Sequence, residues 1–108
     1  MANYTKEIEI FNKATKAAVA AVEQFESNHP KFLDACGFAW VHISGSRRFV
    51  NALKSIGEGS SAYGGGYQIW NPSQLATQSI SIKEAGASAF ARVLQENDIK
   101  AYSQSRMD

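Results

Sequence analysis

The chain has 108 residues, of which 44% are hydrophobic and 19% are charged, and its formal net charge is +1. This length predicts a single domain over residues 1–108, and the composition excludes a disordered chain. No apolar run approaches the ~18 residues that a membrane span needs, and no signal-peptide pattern follows Met1, so we expect a cytoplasmic protein.

Residues 1–28 are predicted to form a long N-terminal helix, with Thr5 as its N-cap and an end near Ser27. Apolar residues recur there at spacings of three and four and mark one stripe, which consists of Ile8, Phe11, Ala18, Val22 and Phe25. Because most helical stability comes from packing, we expect this stripe to lie against the chain's own sheet or against a partner chain. Residues 31–36 are predicted to be a short connector.

Residues 38–43 are the clearest strand, and its two faces differ in chemistry. Ala39, Val41 and Ile43 are aliphatic and are predicted to face the core. The alternate positions are Phe38, Trp40 and His42. Because successive side chains of a strand point to opposite faces, the strand has one aliphatic face and one face of large rings.

A second helix is predicted from Ser46, its N-cap, to about Ile56, with its end at Gly57. Its apolar side consists of Phe49, Val50, Leu53 and Ile56. Arg47 and Arg48 lie in the first turn, where the helix dipole disfavours positive charge. Either they are solvated, or they frame an anion site with the N–H groups of that turn.

The stretch Gly57–Ser73 contains five of the eight glycines and predicts a β-hairpin. Gly64, Gly65 and Gly66 can reach positive φ and therefore suit the reversal between arms at residues 60–63 and 67–70. The second arm should stop at Asn71-Pro72, because proline cannot donate to a ladder. The three glycines indicate either a flexible tip or a close approach of the backbone to a ligand or partner chain.

A polar connector, residues 73–79, follows the hairpin, and a short extra strand at residues 78–82 is one interpretation of its end. Ser81 and Glu84 have the spacing of a capping box for a third helix. A final strand is predicted at residues 99–106. Ile99 and Ala101 should face inward, and Lys100, Tyr102, Gln104 and Arg106 should face the other way.

Apart from the first helix, this order predicts a ferredoxin-like split βαβ fold, βαββαβ, in residues 37–106. It is an α+β fold in which an antiparallel sheet has its first and third strands side by side in the centre, with an additional N-terminal helix. One sheet face would carry the large rings. Three occupants could cover it: the N-terminal helix, a second copy of the chain, or bases that stack on it. The predicted core consists of Val41, Ile43, Phe49, Leu53, Ile69, Phe90, Val93 and Leu94.

Four segments together carry a resemblance: CGFAWV at 36–41, GGGYQIWNP at 64–72, QSISIKEAGASAFARVL at 78–94 and the SRMD ending. In these segments the chain resembles small proteins of unassigned function encoded by tailed bacteriophages. The similarity covers roughly residues 36–108, and the N-terminal helix carries none of it. It implies expression in the cytoplasm of an infected bacterium, and it assigns no activity and no functional residues.

The sequence offers little support for catalysis or for a cofactor. His42 and Ser44 share a strand face, but no carboxylate lies predictably beside the imidazole to orient it. No group of His, Cys and Asp residues has metal-ligand spacing, so we expect no metal. Cys36 is the only cysteine, which excludes an internal disulfide.

A non-catalytic binding module for nucleic acid or a nucleotide is the favoured interpretation, because aromatic residues on such a sheet can stack on bases while arginines hold phosphates. The basic excess of the middle region is slight, at about +3 for residues 37–83. The alternative is a protein-interaction module or homodimer that buries the aromatic face and the Ala-rich helix. The candidate ligand-binding residues are Trp40, His42, Arg47, Arg48, Gly64, Gly65, Gly66, Tyr67, Trp70, Asn71, Tyr102 and Arg106.

Overall fold

The structure is a computed structural model that describes residues 3–29, 35–74 and 79–107. Within these residues it has three helices and four strands: α1 (Thr5–Asn28), β1 (Gly37–Ile43), α2 (Arg47–Ser55), β2 (Ser60–Ser61), β3 (Tyr67–Trp70), α3 (Ile80–Glu96) and β4 (Ala101–Met107). The strands form one antiparallel sheet in the order β2-β3-β1-β4. The prediction of an α+β chain with an antiparallel sheet and an additional N-terminal helix is confirmed.

The core lies between one face of the sheet and the helices. Ala39, Val41 and Ile43 are at most 1% exposed, as the alternation in β1 predicts. The helix α3 packs across β1 and β4 on this face. All of the predicted core residues are buried: Val41, Ile43, Phe49, Leu53, Ile69, Phe90, Val93 and Leu94.

Ile56 is an exception to the predicted apolar side of α2, because it is 40% exposed. The helix ends one residue earlier, at Ser55, and Ile56 is its C-cap. A residue beyond the last helical turn no longer follows the 3.6-residue period, so the stripe of Phe49 and Leu53 does not extend to it.

The helix α1 packs along α3, so the alternative in which it packs on the sheet is wrong. Phe11 of α1 meets Phe90 of α3 edge to face, with 5.8 Å between the ring centroids. Close approach depends on small residues, because a Cβ added at Gly86 would lie 3.1 Å from a methyl group of Val22. Ala18 is completely buried at the same contact face. This packing places α1 on the helix side of the sheet and leaves the other sheet face open.

The helix α1 begins at Thr5, the residue that was predicted to be its N-cap. Tyr4 is the N-cap and makes no side-chain capping bond. The side chain of Asn3 accepts hydrogen bonds from the Thr5 backbone N–H at 2.9 Å and from the Thr5 hydroxyl at 2.6 Å. Thr5 is therefore a helical residue, and the short amide side chain before it satisfies its N–H.

The helix α3 begins at Ile80, and the predicted capping box of Ser81 and Glu84 is wrong. Its N-cap is Ser79, whose hydroxyl accepts from the Ile82 N–H at 3.3 Å. The carboxylate of Glu84 accepts instead from the Ser105 hydroxyl of β4. Glu84 therefore contacts a residue of β4 and not the predicted partner in its own helix, Ser81.

The alternative of an extra strand at residues 78–82 is wrong for residues 80–82, which are helical, and Ser79 pairs only through an isolated bridge to Cys36. Gln78 and most of the predicted connector at residues 31–36 lie outside the described residues. None of the helices in the described ranges is long and apolar enough to span a membrane.

Candidate functional site

The face of the sheet opposite the helices carries five large rings, which we call the aromatic face: Phe38, Trp40, His42, Trp70 and Tyr102. The strand register brings them together. Trp40 of β1 lies opposite Trp70 of β3, and His42 lies opposite Tyr102 of β4. Because directly opposed residues point to the same side, side chains from three strands converge on one surface.

The rings form two stacked pairs. Trp40 and Trp70 have centroids 4.6 Å apart and ring planes inclined by 24°, and His42 and Tyr102 have centroids 5.1 Å apart at 29°. Phe38 meets Trp70 edge to face at 5.9 Å. Trp70 is nevertheless 42% exposed and Tyr102 is 47% exposed. The aromatic face therefore offers ring surface to a partner outside the chain.

A groove of about 720 Å³ runs over this face beside the hairpin turn. Its volume lies within the range typical of small-molecule sites, roughly 300–1,000 Å³. It is lined by Trp40, His42, Ser44, Ala62, Tyr63, Gly64, Gly65, Gly66, Gln68, Trp70, Tyr102, Gln104 and Arg106. Eight of the twelve predicted site residues thus lie along one groove.

The hairpin turn forms one wall of the groove and is longer than predicted. The first arm forms only the two-residue strand β2, whereas residues 60–63 were expected. Gly64, Gly65 and Gly66 all have positive φ, at 86°, 115° and 84°. A Cβ added at Gly66 would lie 2.5 Å from Nε2 of His42, so the close approach predicted for the glycines is made to the chain's own imidazole.

Gly66→Ala should destabilise the protein more than Gly64→Ala. The two residues have almost equal φ, 84° and 86°, but an added Cβ meets His42 only at Gly66 and finds open space at Gly64. Both substitutions carry the cost of about 1–2 kcal/mol for a left-handed conformation, and only Gly66→Ala adds a steric clash. Denaturant unfolding of both variants measures the difference. Equal losses would contradict the contact between the turn and the imidazole.

Positive charge lies at one end of the aromatic face. The guanidinium of Arg106 is 5.5 Å from the centroid of Phe38, and the ammonium of Lys83 is 5.3 Å from it. Lys83 also donates to the Gly37 carbonyl at 2.8 Å. No Asp or Glu is among the described residues that line the groove, and Arg106 is the charged residue among them. This electrostatic environment favours an uncharged or anionic ligand.

Arg47 and Arg48 do not lie at this groove, which corrects the predicted site. The guanidinium of Arg48 is 3.3 Å from the Glu7 carboxylate, and it donates to the Asn3 carbonyl. It also lies 5.2 Å from the Tyr4 ring centroid. Arg48 therefore links α2 to α1 and to the residues just before α1, on the helix side of the sheet. Arg47 is exposed in the same first turn.

Tyr67 faces the core because it pairs with the buried Ile43, so it does not join the aromatic face. It is 6% exposed, and its hydroxyl donates to the Glu58 carbonyl at 2.6 Å. Burial raises the pKa of Tyr67, and the Glu58 carboxylate raises that pKa further. The phenol therefore keeps its proton at neutral pH and serves as a structural donor.

Asn71 also stands apart from the groove. It ends β3 with a φ of 44°, and its N–H donates to the Ala39 carbonyl at 3.0 Å. That bond extends the pairing of the two central strands by one residue. Asn71 thus positions the end of β3, next to Trp70.

Two glutamines of the groove were absent from the predicted site. Gln104 accepts from the Trp40 indole N–H at 2.9 Å, and Gln68 lies opposite His42 in the register. Both lie two residues from a predicted ring, at i−2 of Trp70 and at i+2 of Tyr102. Since residues two apart share a strand face, this alternation was the signal that could have identified them.

Comparisons with protein-family models, with curated proteins and with solved structures gave no match. Among the described residues, no three His, Cys, Asp or Glu side chains are grouped so that they could hold a metal ion. The chemistry of the groove must therefore be inferred from its own residues. They can stack on planar rings, donate and accept hydrogen bonds through amides, and bind an anion through Arg106.

Proposed function

We propose that the groove is a non-catalytic site for a nucleotide or for the bases of a single-stranded nucleic acid. The observation that carries the proposal is the pair of ring stacks on a sheet face that the chain's own helices leave uncovered. Stacking on an aromatic side chain is worth roughly 1–3 kcal/mol per base and tolerates any base. Trp70 and Tyr102 expose ring surface for this purpose.

The polar residues of the groove have matching roles in the proposal. Gln68 and the partly engaged Gln104 can donate and accept at the edge of a base. Arg106, at the end of the groove, can hold a phosphate group, as guanidinium groups commonly do. A single arginine is far fewer than the roughly 6–10 phosphate contacts of strong backbone binders. The proposed ligand is therefore a nucleotide or a short single strand and not a duplex.

We propose further that the chain has the ferredoxin-like βαββαβ arrangement. The order β2-β3-β1-β4 with antiparallel neighbours and a helix in each crossover supports this. Some single-strand-binding modules use the open face of such a sheet. The similarity to small proteins of tailed bacteriophages makes an accessory role in an infected cell part of the same proposal.

Tryptophan fluorescence tests the proposed function directly, because Trp40 and Trp70, the two tryptophans of the chain, both line the groove. We expect emission that iodide quenches and that changes when a nucleotide or a single-stranded oligonucleotide is added. Blue-shifted emission that iodide does not reach, and that no nucleotide alters, would overturn the proposal.

Arg106→Ala should weaken binding of a single-stranded oligonucleotide and reduce the slope of log affinity against log salt by about 1, since one phosphate contact is lost. Arg47→Ala is the matched control, because it removes another exposed guanidinium, on α2 and away from the groove. Titrations at several salt concentrations measure both variants. Equal effects of the two substitutions would indicate only a general loss of positive charge.

The second candidate function is a homodimer that buries the aromatic face. The exposure of Trp70 and Tyr102 favours it, because apolar rings gain from burial. The Ala-rich part of α1 contributes less than predicted, since Ala18 is already completely buried in the core of the chain. This candidate predicts a dimer whose tryptophan emission is blue-shifted and protected from iodide, so the same fluorescence experiment distinguishes it from the proposed groove.

A further inference from the structure

The two edges of the sheet differ in length. One edge is β2, which has only two residues, and the other is β4, which has seven. Very short edge strands are a common protection against pairing with other chains, whereas a long regular edge invites it. β4 pairs with β1 residue for residue, from Gly37↔Met107 to Ile43↔Ala101, so no bulge interrupts it. It also contains no proline and no lysine.

The hydrogen bonds of β4 identify which of its backbone groups point away from the sheet. The Lys100 carbonyl accepts from the Ser44 N–H at 2.9 Å, so residue 100 points towards β1. Because backbone direction alternates in an antiparallel ladder, residues 102, 104 and 106 also point inward and residues 101, 103 and 105 point outward. The Ala101 carbonyl accepts from the Gln95 side chain at 2.7 Å, which agrees with this direction.

Ser103 and Ser105 therefore direct their N–H and C=O groups outward from the edge. Their side chains are engaged elsewhere, on the helix side. The Ser103 hydroxyl is 3.2 Å from that of Ser88, and the Ser105 hydroxyl donates to Glu84. Both contacts hold β4 against α3 and keep the edge extended. The exposed backbone is thus preorganised to accept another strand.

We propose that this edge pairs with β4 of a second copy in antiparallel orientation, which joins two sheets into one continuous sheet. The register with full overlap places Ala101 opposite Met107 of the partner subunit. In this register Ser103 lies opposite the partner's Ser105. The outward backbone N–H and C=O groups of the two residues therefore face each other. Such a two-fold contact is self-complementary, the usual form of a homodimer interface.

The side chains that β4 presents on the aromatic face favour a second copy of the chain as the strand that pairs with this edge. The same register places Tyr102 opposite the partner's Arg106, and by symmetry this contact forms twice. A guanidinium over a tyrosine ring is attractive by about 0.5–1 kcal/mol at an exposed site. Gln104 lies on the two-fold axis, where two amides can hydrogen-bond. An unrelated strand would satisfy the backbone but would supply these side chains only by chance.

This inference does not rest on the ligand of the groove. The dimer leaves Trp40 and Trp70 open, because they lie on β1 and β3, the two strands between the edge strands. Two grooves would then lie on one face of a single sheet. Trp70→Ala should leave the dimer unchanged, whereas it should disrupt a dimer built on the aromatic face.

Light scattering over a concentration series tests the proposal. We expect the wild-type chain to reach twice its 11.8 kDa mass. Ser103→Pro removes an outward N–H without touching the ladder to β1, since proline is tolerated on the open side of an edge strand. It should give a folded monomer. Ser103→Ala, which removes the hydroxyl and keeps the N–H, should remain a dimer.

Cross-linking gives a second readout in case Ser103→Pro fails to fold. With Cys36→Ser as background, Gln104→Cys should form an intermolecular disulfide, because opposed residues at the two-fold axis have Cα atoms about 4.5–5.5 Å apart. Arg106→Cys is the matched control. Its two copies would be roughly 13 Å apart, from a rise of about 3.3 Å per residue, and should not cross-link.

Three results would overturn the inference. One is a wild-type chain that stays monomeric throughout the concentration series. Another is a Ser103→Pro variant that remains a dimer. The third is disulfide formation that is equally efficient for Gln104→Cys and Arg106→Cys, since this would indicate random collision and not one register.

Discussion

Leu94→Ala should lower the free energy of unfolding by roughly 2–5 kcal/mol. Leu94 is completely buried on α3, in the core between the sheet and the helices. The truncation removes apolar contacts and leaves a cavity that a close-packed interior cannot fully close. Leu53→Ala on α2 should fall in the same range, because that side chain is 1% exposed. Denaturant titration followed by circular dichroism measures both.

Ile56→Ala is the matched control for these core variants. It is also an aliphatic truncation at α2, but Ile56 is 40% exposed and should change stability by less than about 0.5 kcal/mol. A loss below about half a kcal/mol for Leu94→Ala would mean that the inward face of α3 is wrongly assigned.

Trp70→Ala should weaken nucleotide or single-strand binding about ten- to a hundredfold, which corresponds to the loss of one stacking contact. Trp70 is 42% exposed, so part of its ring surface serves no internal packing. Its remaining contacts are the stack on Trp40 and the edge contact with Phe38. The loss of these contacts should cost far less stability than Leu94→Ala. Isothermal titration gives the affinity and thermal unfolding gives the stability.

The two readouts separate a binding role of Trp70 from a structural one. Ile56→Ala again serves as the control, because Ile56 is the C-cap of α2, does not line the groove and should keep wild-type affinity when replaced. If Trp70→Ala unfolds the protein, the ring is structural. If the variant is folded and binds as tightly as the wild type, the groove does not use this ring and the proposed function is wrong.

Local patterns predicted the elements and the core well, because they depend on residues close in the chain. The alternation in β1 assigned Ala39, Val41 and Ile43 to the core and placed Trp40 and His42 on the other face. Period two is a property of any extended strand and needs no knowledge of its neighbours. The glycines at residues 64–66 likewise identified the reversal, since positive φ is easy only for glycine.

Register and distant contacts decided which predicted residues form the site. Tyr67 and Trp70 belong to the same short strand, but they are three positions apart and therefore point to opposite faces. The predicted site contained both residues. Only the pairing of Ile43 with Tyr67 and of Trp40 with Trp70 assigns Trp70 to the groove and Tyr67 to the core.

The sequence by itself determined the strands, the helices and the aromatic side of β1, because periodicity and turn chemistry are local. The tertiary structure alone decided that α1 packs on α3 and that Arg48 is paired with Glu7. Both outcomes depend on surfaces that are distant from each other in the sequence. Gly86 permits the close helix contact, and that contact is the reason the aromatic face remains open.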